Sequence, residues 1–186
     1  GTAGLTKAST GTLALSAANL YTGTTTINAG TLTEGIANAL SSGAVTVNGG
    51  IFNIGAFSDT VGAITLVNGS ITGTTGVLTS TGYTVSNGTI SAILAGAVPL
   101  TKTTTGTVTL SGANTYTGLT TISAGTIKLG AAGGAINTPL GTTVAGTVVS
   151  AGATLDLNGF TLGTAEALTL NGTGVGGTAG ALTNSS

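Results

Sequence analysis

The chain contains no cysteine, histidine, methionine, tryptophan or arginine. Without cysteine there are no disulfides, thiol nucleophiles or thiolate metal sites, which fits a secreted protein that folds without disulfides. Without histidine as well, Ser-His-Asp and Cys-His nucleophilic arrangements are impossible. The lack of arginine removes the usual bidentate clamp for phosphate. Lys7, Lys102 and Lys128 are the only cationic side chains. No basic patch can form from them, so nucleic acid and anionic membrane surfaces are poor partners. Charged residues make up only 4% of the chain and the formal net charge is −1, against roughly 25% charged residues in ordinary soluble domains. So little charge leads us to expect stability that hardly responds to salt or pH. Long apolar runs are missing too. The longest, Ile90 to Leu100, contains Pro99 and is too short to span a bilayer. No signal peptide is visible and the chain starts at Gly1, so we expect a mature or excised segment of a longer chain.

What is present is about forty Thr, 34 Gly, and many Val, Ile and Asn. Disordered chains are charged and poor in β-branched residues. This one is strand-forming material punctuated by glycine and asparagine, long enough for one domain or one array of repeats. It also repeats itself. Gly11–Leu32, GTLALSAANLYTGTTTINAGTL, aligns without a gap to Gly106–Ile127, GTVTLSGANTYTGLTTISAGTI, with 15 identities over 22 positions. The leaders match as well, Leu5-Thr6-Lys7 against Leu100-Thr101-Lys102.

A turn triplet recurs along the whole chain. It appears as Ser9-Thr10-Gly11, Asn28-Ala29-Gly30, Asn48-Gly49-Gly50, Asn68-Gly69-Ser70 and Ser86-Asn87-Gly88. Thr104-Thr105-Gly106, Ser123-Ala124-Gly125, Ser150-Ala151-Gly152 and Asn171-Gly172-Thr173 continue it. Most spacings are roughly 19–20 residues, within the range of solenoid repeats. Short alternating strands flank each turn: TTI, VTV, ITLV, YTV, TVV and LTL before it, and TLAL, TLT, IFNI, TVTL, TIKL and TLDL after it. Alternation sends one set of side chains inward. The inward candidates are Leu13, Leu15, Ile27, Leu32, Val45, Val47, Ile64, Leu66, Val108, Leu110, Ile122, Ile127, Leu129, Leu155, Leu157, Leu168 and Leu170, with intervening threonines facing solvent. No segment carries a helical period, and frequent Gly and Thr make helix costly. A sandwich or barrel would contrast hairpins with longer crossings. Here the residues after one turn resemble those after the next, so equivalent residues stack one coil per repeat. The expectation is an all-β, single-stranded parallel β-helix (β-solenoid) of about nine coils, a rod about 43 Å long at ~4.8 Å per coil.

The second half reads as a degenerate copy of the first. Ala44–Ser70 resembles Gly146–Thr173, and the extra residues sit near Ala131–Thr143, which we assign to a loop bulging from one coil. Pro139 fits that loop, and Pro99 lies at the junction of the units. The expected units are 1–99 and 100–186 within one continuous solenoid. The tail, Gly172–Ser186, reads as the start of another unit or a flexible linker. Neither end shows a polar or helical cap, and solenoids need caps for solubility. Open strand edges pair with other chains, so the ends are expected to meet flanking repeats or further copies of the same chain.

Gly106–Ile127 and its twin resemble the autotransporter-associated β-strand repeat (passenger-associated repeat) of large secreted bacterial surface proteins. The resemblance rests on a Leu-x-Gly-x-Asn-x-Tyr-x-Gly core followed by Thr-Thr-Ile-x-x-Gly-Thr, carried by Leu110, Gly112, Asn114, Tyr116, Gly118, Thr120, Thr121, Ile122, Gly125 and Thr126. The first copy matches at Leu15, Asn19, Tyr21 and Gly23 but has Ala17 where Gly112 stands. Leu155-Asp156-Leu157-Asn158-Gly159-Phe160 is similar to the continuation common in that family. The motif proper covers about a quarter of the chain. The resemblance implies a right-handed helix, export across the bacterial envelope, an extracellular or cell-surface location, and a role as stalk, adhesin or surface layer. True autotransporters add a C-terminal outer-membrane barrel, which this stretch does not contain.

Candidate chemistry is sparse. Tyr21 and Tyr116 could offer an aromatic contact to a sugar or could cover a coil bend, and their recurrence favours the second. Asn19 and Asn114 suit bonds to neighbouring backbone or an asparagine ladder. Asn48, Asn68, Asn87, Asn158 and Asn171 each precede glycine and mark positive-φ turns. Glu34, Asp59, Asp156 and Glu166 are the only carboxylates, too few over nine coils for the flanking pair a glycosidase needs. The glycine-rich calcium nonapeptide is absent, and a calcium site would need several oxygen ligands that Asp59 or Asp156 alone does not supply. Thr-x-Thr pairs such as Thr24/Thr26, Thr103/Thr105 and Thr107/Thr109 raise an ice-binding alternative, but single threonines between apolar residues break that ladder. The sequence therefore assigns no catalytic, cofactor-binding or metal residue and does not read as an enzyme. It reads as a structural segment or subunit of a bacterial extracellular fibre, stalk or surface layer that stacks end to end. The alternative is an adhesin module binding glycans or other cells.

Overall fold

The computed structural model describes residues 1–178 and 180–186. Ala179, inside the tail read as a further unit or linker, lies outside the described residues. Among the described residues, helix is confined to one 3-10 turn, Val175–Gly177. Outside one antiparallel hairpin, the strands follow one rule: each short strand pairs in parallel with the equivalent strand of the next coil.

On the first face the rungs are Leu5–Lys7, Thr25–Ile27, the start of Val45–Gly55, the start of Ile64–Gly73, Tyr83–Val85, Leu100–Lys102, Thr120–Ile122, Thr147–Val149 and Leu168–Leu170. After each turn the chain enters the second face. Its rungs are Thr12–Leu15, Thr31–Glu34, the later parts of Val45–Gly55 and Ile64–Gly73, Gly88–Ile90, Thr107–Leu110, Gly125–Leu129, Ala153–Asp156 and Leu182–Thr183. A third face is strand only in mid-rod, at Asp59–Thr60, Val77–Thr79 and Ile93–Ala95. The fold is a parallel β-solenoid of about nine turns. The glycines after Asn48, Asn68, Asn87, Asn158 and Asn171 have φ of 118°, 103°, 124°, 77° and 74°, the region that a side chain disfavours.

Stacking in register turns each inward position into a column. Leu32, Phe52, Ile71, Ile90, Leu110 and Leu129 form one, all buried. Each such side chain contributes about 1.5–3 kcal/mol by leaving water. Most of the expected inward residues are buried. Leu13 and Leu170, however, are 36% and 43% exposed, and Leu15, Leu157 and Leu168 are only partly buried. Leu13, Leu15, Leu168 and Leu170 point inward but lie in the first and last coils, where a neighbour covers one side only. Leu157 follows the rung Ala153–Asp156, which pairs with Gly125–Leu129 on one side and with only the short strand Leu182–Thr183 on the other.

Threonine does not always face out. Thr25, Thr120 and Thr147 point inward and are buried, while the next residues form an outward file: Thr6, Thr26, Thr46, Thr65, Thr84, Thr101, Thr121, then Val148 and Thr169.

The stretch 131–143 carries an antiparallel hairpin, Asn137–Thr138 with Gly141–Thr142. Thr138, Leu140 and Gly141 are buried against the coil below. The Asn114 N–H donates to the Thr138 carbonyl at 3.0 Å and the Thr142 N–H to the Tyr116 carbonyl at 3.0 Å.

Two of the three lysines occupy core positions. Lys102 is buried between the aliphatic side chains Val85 and Ile122 of its column. Its ammonium donates to the Thr104 carbonyl in its own turn and to the Ala124 carbonyl in the next coil, the latter at 3.2 Å. Lys7 does the same with the Ser9 carbonyl and with Ala29 at 3.2 Å. Gly30 and Gly125, at φ 64° and 68°, bring the next turn close enough. A Cβ on Gly30 would lie 2.7 Å from Lys7 Nζ and 2.3 Å from two carbonyl oxygens. Burial pushes the Lys102 ammonium below its ordinary value. Replacing Lys102 with Met preserves the apolar stem but leaves two turn carbonyls without a donor. Lys102→Met should lower stability by about 1–3 kcal/mol, while Lys128→Met at the half-exposed surface should shift it by about 0.5 kcal/mol or less. Chemical denaturation of both variants makes that comparison.

Candidate functional site

The repeated stretch folds into a turn that ties three coils together. Asn114 is buried. Its Oδ1 accepts from the Leu94 N–H at 2.8 Å in the coil below, and its Nδ2 donates to the Pro139 carbonyl at 2.7 Å in the coil above. Tyr116 is fully buried, and its hydroxyl pairs with Thr120 Oγ1 at 2.7 Å. Thr120 Oγ1 also donates to the Leu140 carbonyl at 3.0 Å. The first copy repeats the arrangement at the edge of the rod. Asn19 Nδ2 donates to the Ala39 carbonyl at 2.8 Å, and Tyr21 pairs with Thr25 Oγ1 at 2.7 Å. Neither Asn19 nor Asn114 belongs to an asparagine ladder. Nδ2 of Asn48 donates to Oδ1 of Asn28 at 3.4 Å, and Nδ2 of Asn87 to Oδ1 of Asn68 at 3.1 Å, all at the turn between the first and second faces.

Tyr83 joins this group although nothing in its YTV context signals it. Its hydroxyl lies 2.6 Å from the Leu78 carbonyl and 2.8 Å from the Ala95 carbonyl, and accepts from the Ala95 N–H at 3.1 Å. Its ring centroid stands 6.0 Å from that of Tyr116 at 46°, a favourable tilted aromatic contact. Burial pushes both phenols well above the ordinary value. Tyr21 moves the same way, chiefly through burial, against the opposing pull of its bond to Thr25 and with a small addition from the field of Asp59.

The four carboxylates separate into one pair and two isolated groups. Glu34 and Asp59 are both buried. Asp59 accepts from the Leu40 N–H at 2.8 Å and the Thr60 N–H at 2.6 Å. Glu34 points inward at the position where the second repeat has Leu129. Both of its carboxyl oxygens are buried without a hydrogen-bond partner. Burial pushes Glu34 up to about 9, and the Asp59 carboxylate beside it adds to the rise. Asp156 sits among donors. Burial pulls it upward, but hydrogen bonds from Ser185 Oγ at 2.6 Å and from the Asn158 and Ser185 amides outweigh that and hold it below the ordinary value. Lys128 lies 3.7 Å from it. Glu166 is raised by burial and accepts from Thr147 Oγ1 at 2.9 Å. Among the described residues no pocket opens and no group of three or more metal-ligating side chains forms. What reaches solvent in ordered form is the threonine file of the first face and the asparagine row at its edge.

The family model for the passenger-associated-transport-repeat matches residues 5–33 and 100–129. The chain therefore carries two such repeats, each beginning at the Leu-Thr-Lys rung and closing on the second-face rung of the following coil. No curated protein and no solved structure matches the chain.

Glu34 gives the molecule a pH dependence that its low overall charge does not suggest. The folded state keeps the Glu34 proton up to about pH 9, whereas the unfolded chain loses it near the ordinary carboxyl value. Between those limits the folded state binds more protons, so stability falls as pH rises and levels off above the folded value. Denaturation midpoints should drop steadily from pH 5 to pH 9. Glu34→Leu, which installs the residue type of Leu129, should flatten that slope and add about 1–3 kcal/mol at pH 8. An unchanged slope would remove Glu34 as its source.

Proposed function

We propose that this chain is a structural β-solenoid segment or subunit of a bacterial extracellular fibre, stalk or surface layer, of the kind that autotransporter passengers form. The observation that carries the reading is the coincidence of two passenger-associated repeats with one uninterrupted stack of coils. Repeat side chains that could have made a site are spent on the stack: Asn114 bonds coil to coil, the Tyr116 hydroxyl pairs with Thr120, and both are inaccessible. Each internal coil is held on both sides by backbone ladders and apolar columns, which suits a rod that must resist solvent outside the cell. The passenger repeat supports a secreted or cell-surface location.

An adhesive role on the same stalk has a specific surface to support it. The outward file from Thr6 to Thr121 and the asparagine row from Asn28 to Asn87 present hydroxyls and amides at the coil spacing. Such rows would offer repeated donors and acceptors to an extended polar partner such as a glycan chain.

Negative-stain microscopy of native material should show rods or filaments, and oriented samples should diffract at about 4.8 Å along the rod axis. Compact particles without that spacing would reject the structural reading. A glycan array probed with the rod should lose its signal on Thr46→Val and Thr65→Val if the threonine file is adhesive, and an array with no signal would reject adhesion to glycans.

A further inference from the structure

Five asparagines precede glycine: Asn48, Asn68, Asn87, Asn158 and Asn171. Glycine puts no side chain beside its own nitrogen. Each pair is therefore open to the same internal reaction, attack of the glycine nitrogen on the asparagine carboxamide. Such a step needs proximity, support for the oxygen that becomes negative and an amine free to leave. In sequence the five pairs are equivalent. In the fold they are not.

In four pairs the departing amine is tied. Nδ2 of Asn48 donates to Asn28 Oδ1 at 3.4 Å, and Nδ2 of Asn87 to Asn68 Oδ1 at 3.1 Å. Nδ2 of Asn158 donates to the Leu129 carbonyl at 3.0 Å, and that of Asn171 to the Val149 carbonyl at 3.2 Å. Asn158 is also half-buried, and the Gly159 N–H is held by Asn184 Oδ1. Asn68 is arranged the other way round. It is exposed, and its Oδ1 accepts twice, from the Gly69 N–H at 2.9 Å and from Asn87 Nδ2 at 3.1 Å. The first contact brings the attacking nitrogen to the carboxamide. The second places a donor on the oxygen where charge builds up. Because an N–H faces only an acceptor, Gly69 fixes which atom of the Asn68 carboxamide is oxygen and leaves Nδ2 on the far side.

We infer that Asn68 is a self-modification site, which closes a cyclic imide with Gly69 in the folded rod and reopens as aspartate or isoaspartate. The Gly69 N–H gives its proton to hydroxide, and its nitrogen bonds to Asn68 Cγ. The Cγ–Nδ2 bond breaks as ammonia leaves with a proton from water. Water then adds to the imide. Opening at the side-chain carbonyl leaves aspartate, and opening at the backbone carbonyl leaves isoaspartate. Either product puts a carboxylate into the row of Asn28, Asn48, Asn68 and Asn87, which carries no charge before. The aspartate keeps the Gly69 and Asn87 donors and binds them more strongly as an ion. The isoaspartate lengthens the main chain by a methylene, at a corner where pairing with the coil of Asn48 already shifts register.

The test holds the full chain at mildly alkaline pH, folded and in denaturant. Each Asn-Gly site is followed by peptide mass spectrometry with an isoaspartate assay. In the folded chain Asn68 should convert first, ahead of the other four by about tenfold, the worth of one good hydrogen bond. In denaturant the five rates should converge. Isoaspartate should accumulate at position 68, because direct hydrolysis of the side chain yields aspartate alone. Asn87→Ala should slow Asn68 by about two- to tenfold and leave Asn48 and Asn171 unchanged, which reports that the rod stays folded. The inference is overturned if Asn68 converts no faster than the other four in the folded chain, if its product is aspartate alone, or if Asn87→Ala leaves its rate unchanged. Faster conversion of Asn48 and Asn171 in Asn87→Ala would mean a disturbed fold, and the order of the five sites in the unmodified folded chain then decides.

Discussion

Every coil in this molecule depends on the coil beside it. A coil of this length has three or four residues per side and cannot satisfy its own backbone groups or bury its own leucines. Parallel pairing in register does both at once. It bonds each amide to the neighbouring carbonyl and sets each inward side chain on its equivalent. Burial of Leu32, Phe52 and Ile71 is thus not a property of those residues alone, but of their having neighbours above and below. Leu13 and Leu170 show the converse: the same residue type and direction, with one neighbour missing.

The polar core follows from the same constraint. At the turn between faces the ladder is interrupted and carbonyls point inward. Lys7 and Lys102 reach those carbonyls from within the core, and each ammonium bridges its own turn to the next. Asn114 and Asp59 do the equivalent at another corner, each accepting a backbone N–H from an adjacent coil. These groups are buried because they replace ladder bonds that the turns cannot make. Glu34 is the exception. It occupies an apolar column position, satisfies no turn group and has only the Asp59 carboxyl beside it, and the fold tolerates it by keeping it protonated.

The same logic connects architecture to role. A stack in which each coil buries its neighbours is suited to a rod. Its repeated residues serve the joints between coils, and the ordered polar rows left over lie on its outer faces. The twin repeats are alike in sequence because they build the same joint.

Much of this was legible in the chain itself. The turn triplets, the alternation around them and the gapless match of Gly11–Leu32 to Gly106–Ile127 sufficed to set the solenoid, its number of coils and most of its inward residues, because in-register stacking forces like residues to recur at the coil length. The Asn-Gly turns were legible because backbone geometry at those corners leaves few alternatives. The direction of the threonines in a three-residue rung was not, since two adjacent threonines beside one apolar residue read alike. Nothing in the sequence marked Lys7 and Lys102 as core residues or Tyr83 as a member of the buried tyrosine group, and the threonines were expected to face solvent, where Thr25 and Thr120 do not. Nor could the sequence place Glu34 beside Asp59, 25 residues away, or fold the stretch 131–143 back onto Asn114 and Tyr116. The sequence determined the repeat, because repetition is local and periodic. Only the tertiary structure decided which polar groups enter the core, because that depends on what the neighbouring coil brings to the same level of the rod.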